Sequence, residues 1–202
     1  SGTATEGTDY TDGSGAIDDI VISAGATTGT VSFTPTDDSL YDATSNETAT
    51  IAISGVSGGS ASESGTQTVT ITITDNESAP TVTLATSATS IAENSASTLT
   101  LTATLSVATY QDVTVSIGSS GTATEGTDYG TVSDITISAG ATTGTTTFDP
   151  TDDSDETDTV TATLAITGVS GGSASESGSQ SVTISILDDE SVPLSLIHIS
   201  EP

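Results

Sequence analysis

Three sequence motifs occur twice in this chain, separated by about the length of one small domain. Residues 2–10 recur identically at 121–129, residues 22–30 at 137–145, and residues 55–65 at 168–178. The three pairs lie 119, 115 and 113 residues apart, so the loops between the motifs differ in length. A repeating unit of about 115 residues has the size of a folded domain rather than that of a solenoid repeat. The chain is therefore predicted to hold two related domains arranged head to tail.

The two copies of this unit are unequal. The second copy, residues 79–193, contains the whole pattern, and a junction is expected at Pro80. The first copy, residues 1–78, begins at a motif that lies about 40 residues into the second copy. We therefore expect the first copy to be truncated, to lack its first strands and to leave a sheet edge exposed.

Apolar and hydroxyl side chains alternate through the second copy, as they do in strands with one buried and one solvated face. Leu99, Leu101 and Leu105, for example, are separated by Thr and Ala. The pattern shows no helical periodicity. About seven short strands per copy predict an all-β fold, an antiparallel Greek-key sandwich of the immunoglobulin-like type. The predicted strands are 81–85, 98–105, 112–117, 134–137, 144–148, 159–166 and 180–186.

The charge of the chain is entirely negative, with no Lys or Arg, 28 Asp and Glu, and a formal net charge of -28. Such a chain repels nucleic acid and anionic membranes and attracts cations. The low hydrophobic content, 32%, would suit a disordered chain, but the strand-like alternation argues against disorder. Because Cys is absent, disulfides and thiolate metal sites are excluded. No apolar run approaches the length of a membrane-spanning helix.

The acidic residues of the second copy are concentrated in a few loops. If successive strands run in opposite directions, the loops after the first, third, fifth and seventh strands lie at one end of the sandwich. Without basic partners, such a cluster needs a cation, and Ca²⁺ with 6–8 oxygen ligands suits flexible carboxylates. The alternative interpretation is a solvated acidic surface that keeps the protein soluble. The acids concerned are Glu93, Asp128, Asp152, Asp153, Asp155, Glu156, Asp158, Asp188, Asp189 and Glu190.

Four elements of the second copy, in this order, resemble the Calx-β domain. They are Ser90–Glu93, the motif at 121–129, the pair Asp152 and Asp153, and the closing run 186–190. The resemblance implies a small cluster of calcium ions, more than one per complete copy, at the acidic end. Asp158 departs from the family, which usually has Glu there, and the aromatic residue that follows is absent. The ligands implied are Glu93, Asp128, Asp152, Asp153, Glu156, Asp158, Asp188 and Asp189.

The first copy offers a less complete set of acids. Asn76 stands where the second copy has an aspartate, and the glutamate that corresponds to Glu93 is absent. We therefore expect a weaker or incomplete site there. Its candidate ligands are Asp9, Asp37, Asp38, Asp42, Glu47 and Asp75, with Glu77 nearby in sequence.

These observations favour a calcium-binding structural repeat of a large extracellular or cell-surface protein, of the adhesin-like kind found in bacteria. Calcium at the acidic end would stiffen the junctions between repeats, so the expected partners are neighbouring repeats of the same chain. Neither nucleic acid nor direct membrane contact is expected. Two alternatives stay open: a calcium-sensor region of a membrane protein, and an acidic spacer domain that binds no metal.

An enzyme is not expected. The chain lacks Lys, Arg, Cys and Trp, and its 4 Tyr and 2 Phe supply little surface for binding sugars. The only His, His198, lies in the segment 194–202, which differs in style from the rest. That segment resembles a translated sequencing-adapter scar and is expected to be non-native. The alternative is a genuine additional strand.

Overall fold

A computed structural model of the chain describes residues 2–42, 46–154 and 159–190. The chain forms two compact units, Ser1–Ser78 and Ala79–Pro202. Regular structure in the described ranges consists of strands. None of those ranges contains a helix long and apolar enough to cross a membrane. The segment 194–202 lies outside the described residues, so its expected non-native character stays a prediction.

The described residues of the first unit form five strands. Strands β4 and β5 form an antiparallel pair in which Ala49 lies opposite Ile71 and Ile51 opposite Val69. Strands β1 and β2 also pair in the antiparallel direction. The strands are β1 (Tyr10–Thr11), β2 (Thr34–Pro35), β3 (Leu40–Tyr41), β4 (Glu47–Ala52) and β5 (Thr68–Ile73).

The second unit is a sandwich of two sheets. One sheet has the strand order β11-β10-β13-β15-β7 and the other β12-β8-β6-β14. Because strands that are neighbours in a sheet are mostly not consecutive in sequence, the topology is of the Greek-key, immunoglobulin-like kind. This confirms the predicted fold class. The strands are β6 (Thr81–Thr86), β7 (Ser90–Ala92), β8 (Leu99–Leu105), β9 (Ala108–Thr109), β10 (Val113–Gly121), β11 (Ile135–Ile137), β12 (Thr143–Phe148), β13 (Val160–Ser170), β14 (Ser175–Glu176) and β15 (Ser181–Leu187).

The core of the second unit lies between the two sheets, and the two-residue alternation of the strands builds it. Leu101 and Ala103 of β8 are fully buried, and so are Leu164 of β13 and Ile184 of β15. The threonines between them point away from the core, which places hydroxyl groups on the outer faces. The side-chain alternation read from the sequence is therefore the alternation of burial in the structure.

Three features of the sandwich differ from the sequence-based prediction. Ser90–Ala92 was expected in a loop but forms β7, which pairs in parallel with β15 and inserts Ile91 into the core. Strand β14 also pairs in parallel, with β6, so the sheets are not antiparallel throughout. Strands β10 and β13 extend past their predicted ends because backbone pairing continues through Gly and Ser, which lack the alternation and have low strand propensity.

Gly121 ends β10 and begins the repeated motif 121–129. Its φ is +119°, and a Cβ atom there would lie 2.2 Å from the carbonyl oxygen of Thr161 in β13. Its counterpart Gly2 has φ +135° and equally little space beside Thr48. Only glycine accepts both this backbone conformation and the close approach of the next strand. The glycine that begins the motif therefore sets the same backbone direction into the acidic loop in both units.

Candidate metal centre

Glu93 lies directly after β7, at the end of the sandwich where β15 also finishes. Its backbone N–H donates to the carbonyl oxygen of Leu187 at 3.0 Å, which fixes the start of the loop beside β15. Its side chain is only 7% exposed, and it is the one fully buried carboxylate among the described residues. A buried carboxylate without a basic partner is costly, so this position requires a physical explanation.

Four carboxylates meet at this end of the sandwich. One oxygen from each of Glu93, Asp152, Asp189 and Glu190 lies within 4.8 Å of the others. Asp152 follows β12 of one sheet, whereas Glu93 and Glu190 follow β7 and β15 of the other. The cluster therefore joins the ends of both sheets. On its inner side Glu93 is buried, and on its outer side Asp152 and Asp189 are exposed.

Two oxygens of the cluster lack a hydrogen-bond partner. Within the described part of the chain, Glu93 Oε1 and Glu190 Oε2 are buried and accept no hydrogen bond. Asp189 Oδ2, by contrast, accepts from the side-chain amide of Asn94. Buried polar atoms in folded proteins are almost always satisfied, so two orphaned oxygens in one cluster indicate a missing cationic or donor partner.

The electrostatics of the site raise the pKa of Glu93 to about 7. Burial is the largest cause, followed by the hydrogen bond and the charge repulsion between Glu93 and Glu190. Asp153 and Asp188 add further repulsion, which places them close to the cluster. The site therefore holds a proton near neutral pH when no cation neutralises it.

The geometry of the four oxygens fits a hard cation. Calcium binds oxygen at about 2.3–2.6 Å, so two ligands on opposite sides of the ion lie roughly 5 Å apart at most. Separations within 4.8 Å satisfy this limit. The donors are all carboxylate oxygens, which are the ligands that calcium and magnesium prefer and which zinc and copper prefer less.

The predicted ligands of the second unit fall into three groups in the structure. Glu93, Asp152 and Asp189 belong to the cluster, and Asp153 and Asp188 act on it through their charge. Asp128 is not one of the four clustered residues. Its Oδ2 accepts a hydrogen bond within its own loop, from the backbone N–H of Thr124 at 2.6 Å. Glu156 and Asp158 lie outside the described residues.

Glu190 is among the acids expected at this end, but the predicted ligand set does not include it. Its signal was present, since it closes the acidic run 188–190, but the ligand set implied by the family resemblance stopped at Asp189.

Asp128 has a role that differs from the metal-ligand role expected for it. Its backbone oxygen accepts from Thr151 N–H at 3.0 Å, and this contact holds the segment that leads into Asp152.

The acids of the first unit form two smaller groups. Burial raises the pKa of Glu47, and Asp9, Asp42 and Asp38 raise it further. In the second group, burial and a hydrogen bond with Asp75 raise the pKa of Glu77, while Asp75 also accepts from the backbone N–H of Asp42 at 3.3 Å.

The first unit also contains a substitution at the position of a cluster residue. Asn76 takes the place of Asp189, and its amide donates to Asp37, the counterpart of Asp152, at 3.1 Å. A carboxylate pair is thus replaced by a hydrogen-bonded amide and carboxylate. This arrangement satisfies Asp37 without a cation. The four-carboxylate cluster is found in the second unit alone among the residues that the structure describes.

Comparison with solved structures gives a likeness of fold. No family model matches the chain, and no curated protein matches it. A similar solved structure is "Crystal structure of Apo-form Calx CBD1 domain". It matches with a TM-score of 0.46 and 18% sequence identity, over 55% of this chain and 99% of that one. Membership of the Calx-β family stays a prediction.

Proposed function

We propose that the second unit is a calcium-binding module in which Glu93, Asp152, Asp189 and Glu190 hold the ion. The observation that carries this proposal is the pair of buried, unpartnered oxygens on Glu93 and Glu190, inside a group of carboxylates in a chain without Lys or Arg. Asp153 and Asp188 act on Glu93 through their charge, and we propose them as ligands of a second ion.

The position of the cluster supports a structural role for the ion rather than a catalytic one. Its ligands come from the ends of β7, β12 and β15, which belong to both sheets. An ion bound there would remove the repulsion among the carboxylates and tie the two sheets together at one end.

We propose that the module serves as a stiff repeat in an extracellular or cell-surface protein, with neighbouring repeats as its partners. Partly exposed carboxylate sites in extracellular modules bind calcium with dissociation constants of about 10⁻⁴–10⁻³ M, which suits a calcium-rich medium.

The test is thermal unfolding of the full chain in EDTA, in CaCl₂ at about 10–100 mM, in MgCl₂ at the same concentrations, and in NaCl of matched ionic strength. These calcium concentrations are one hundred times the expected dissociation constants of about 10⁻⁴–10⁻³ M. Calcium at one hundred times its dissociation constant stabilises the native state by about 2.7 kcal/mol. For a unit of this size the unfolding midpoint should rise by roughly 10 °C. Magnesium should produce a smaller rise because it demands a regular octahedral site.

A pair of matched variants separates the site from the general acidity. Glu93→Gln removes the buried charge and should abolish most of the rise. Glu125→Gln changes an exposed carboxylate that accepts from Ser119 Oγ and should leave the rise intact. Equal shifts in calcium and in matched NaCl would show instead that the acids form a solvated surface and that the unit is a metal-free spacer.

A further inference from the structure

The loop that carries Asp128 contacts the segment that leads into Asp152. Gly130 N–H donates to the carbonyl oxygen of Asp149 at 2.9 Å. Thr151 N–H donates to the carbonyl oxygen of Asp128 at 3.0 Å. Because Thr151 is the residue immediately before Asp152, the position of its backbone determines where the Asp152 carboxylate can lie.

The side chain of Asp128 closes its own loop. Its Oδ2 accepts from Thr124 N–H at 2.6 Å, and its backbone N–H donates to the carbonyl oxygen of Thr124 at 2.9 Å. The first of these hydrogen bonds has a charged acceptor, which makes it about twice as strong as a neutral one. The two residues are thus joined through both the backbone and the side chain, and the loop between them is closed.

The residue after Asp128 anchors this closed loop in the core. Tyr129 is fully buried, and its ring stacks on that of Phe148 at 4.8 Å. Tyr129 also forms an isolated antiparallel bridge with Pro150. The loop therefore has a fixed place beside the end of β12, the strand that precedes Asp152.

The first unit repeats these contacts at Asp9, although the four-carboxylate cluster is not found among its described residues. Asp9 Oδ2 accepts from Thr5 N–H at 2.6 Å, and the carbonyl oxygen of Asp9 accepts from Thr36 N–H at 2.9 Å. Thr36 immediately precedes Asp37, the counterpart of Asp152. Because the aspartate makes the same hydrogen bonds beside either set of acids, the loop sets its orientation and the cluster does not.

We propose that Asp128 is a positioning residue of the calcium site. Its side chain holds the loop closed, the loop holds Thr151, and Asp152 binds the ion. This inference rests on the proposed function of the second unit, and it replaces the ligand role that the family resemblance implied for Asp128. Two observations support it: Asp128 does not belong to the group of four carboxylates, and its Oδ2 already accepts from Thr124 N–H.

The test is isothermal titration of the EDTA-treated full chain with CaCl₂, with two changes at this position. Asp128→Asn removes the charge but keeps an oxygen that accepts from Thr124 N–H, whereas Asp128→Ala removes both. Asp128→Asn should bind calcium about as tightly as Glu125→Gln, which removes an exposed charge from the same loop. Asp128→Ala should weaken binding about ten-fold or more, the usual cost of losing a residue that orients a metal ligand.

Two further variants calibrate these affinities. Asp152→Asn removes a charged ligand and should weaken binding about ten-fold. Ile137→Val lowers the stability of the packed core but should leave the calcium affinity unchanged. Ile137 pairs with Val113 at the start of β10, whereas the loop of Asp128 follows the other end of that strand. A loss in Asp128→Ala that Ile137→Val does not share therefore reflects the placement of Asp152 rather than overall stability.

The outcomes separate this inference from the proposed function. Absence of calcium binding by the wild type would overturn both. Binding by the wild type, with a loss in Asp128→Asn as large as that in Asp152→Asn, would make Asp128 a ligand and overturn the positioning role alone. Unchanged affinity in Asp128→Ala would also overturn it. If thermal unfolding in EDTA shows that Asp128→Ala does not fold, the comparison of Asp128→Asn with Glu125→Gln and Asp152→Asn still decides between the two roles.

Discussion

Ile22 of the first unit and Ile137 of the second begin the same repeated motif. Ile137 is fully buried, whereas Ile22 is more than half exposed. The tyrosine–phenylalanine stack and the strand register around them are nearly the same in both units. What differs is the presence of β6 and β8, which cover the second unit. Short segments of this sequence therefore adopt their turns and pairings locally, whereas a core requires strands that lie far away in the chain.

The acidic ends of the two units also differ, and the difference lies in how the carboxylates are paired. In the second unit Asp152 and Asp189 join Glu93, which arrives from β7, a strand that follows β6. In the first unit Asn76 donates to Asp37, and no counterpart of Glu93 is present in its sequence. A carboxylate cluster thus forms in the second unit, where distant segments meet. In the first unit an amide takes the place of one carboxylate and donates a hydrogen bond instead.

The largest expected effect contrasts the two isoleucines. Ile137→Ala should destabilise the second unit by about 2–5 kcal/mol because it leaves a cavity in a packed core. Ile22→Ala should change the stability of the first unit by less than about 1 kcal/mol because little buried surface is lost. Urea unfolding followed by hydrogen exchange of each unit measures both. Equal effects would mean that Ile22 is covered in solution.

Asp189 and Asn76 occupy equivalent positions, so exchanging Asp and Asn between them tests the difference between the two acidic ends. Asp189→Asn should lower the calcium affinity of the second unit about ten-fold, equivalent to 1.4 kcal/mol, because it removes a charged ligand. Asn76→Asp should destabilise the first unit by about 0.5 kcal/mol at low salt, because it places a carboxylate beside Asp37 in place of a donor. Calcium titration and thermal unfolding at two salt concentrations measure the two effects. An affinity that Asp189→Asn leaves unchanged would remove Asp189 from the site.

A further expected effect is the pH dependence of the metal-free chain. The pKa of Glu93 is raised in the folded state to about 7 from its ordinary value of 4.5, so the native state binds the proton more tightly than the unfolded state. Stability should therefore fall as the pH rises from about 4.5 to about 7, and this group should add no further slope outside that window.

Thermal unfolding in EDTA across this pH range measures the slope. Glu93→Gln should flatten it because the amide does not titrate, and Glu125→Gln should preserve it. A metal-free midpoint that rises over the same range, with no difference between wild type and Glu93→Gln, would contradict the account of Glu93.

Much of the fold could be predicted from the sequence because alternation of Thr with Val, Ile and Leu reports directly on which face is buried. Strand direction predicted that Glu93, Asp152 and Asp189 lie at the same end of the sandwich, and their carboxylate oxygens cluster there. That they bind an ion stays a prediction. Strand β7 was missed because three residues carry too little periodicity to identify a strand. The burial of Glu93 and its contact with Glu190 could not be read from the sequence, since both depend on how β7 and β15 pair in the folded sandwich.

Isothermal titration calorimetry of the EDTA-treated full chain with CaCl₂, at pH 7.5 and physiological ionic strength, tests the central claim most directly. The account predicts saturable binding at one or more sites, with a dissociation constant below about 10⁻³ M. It also predicts that Glu93→Gln loses this binding while Glu125→Gln retains it. Heats that match the dilution of CaCl₂, or equal binding by wild type and Glu93→Gln, would contradict a calcium centre built around Glu93.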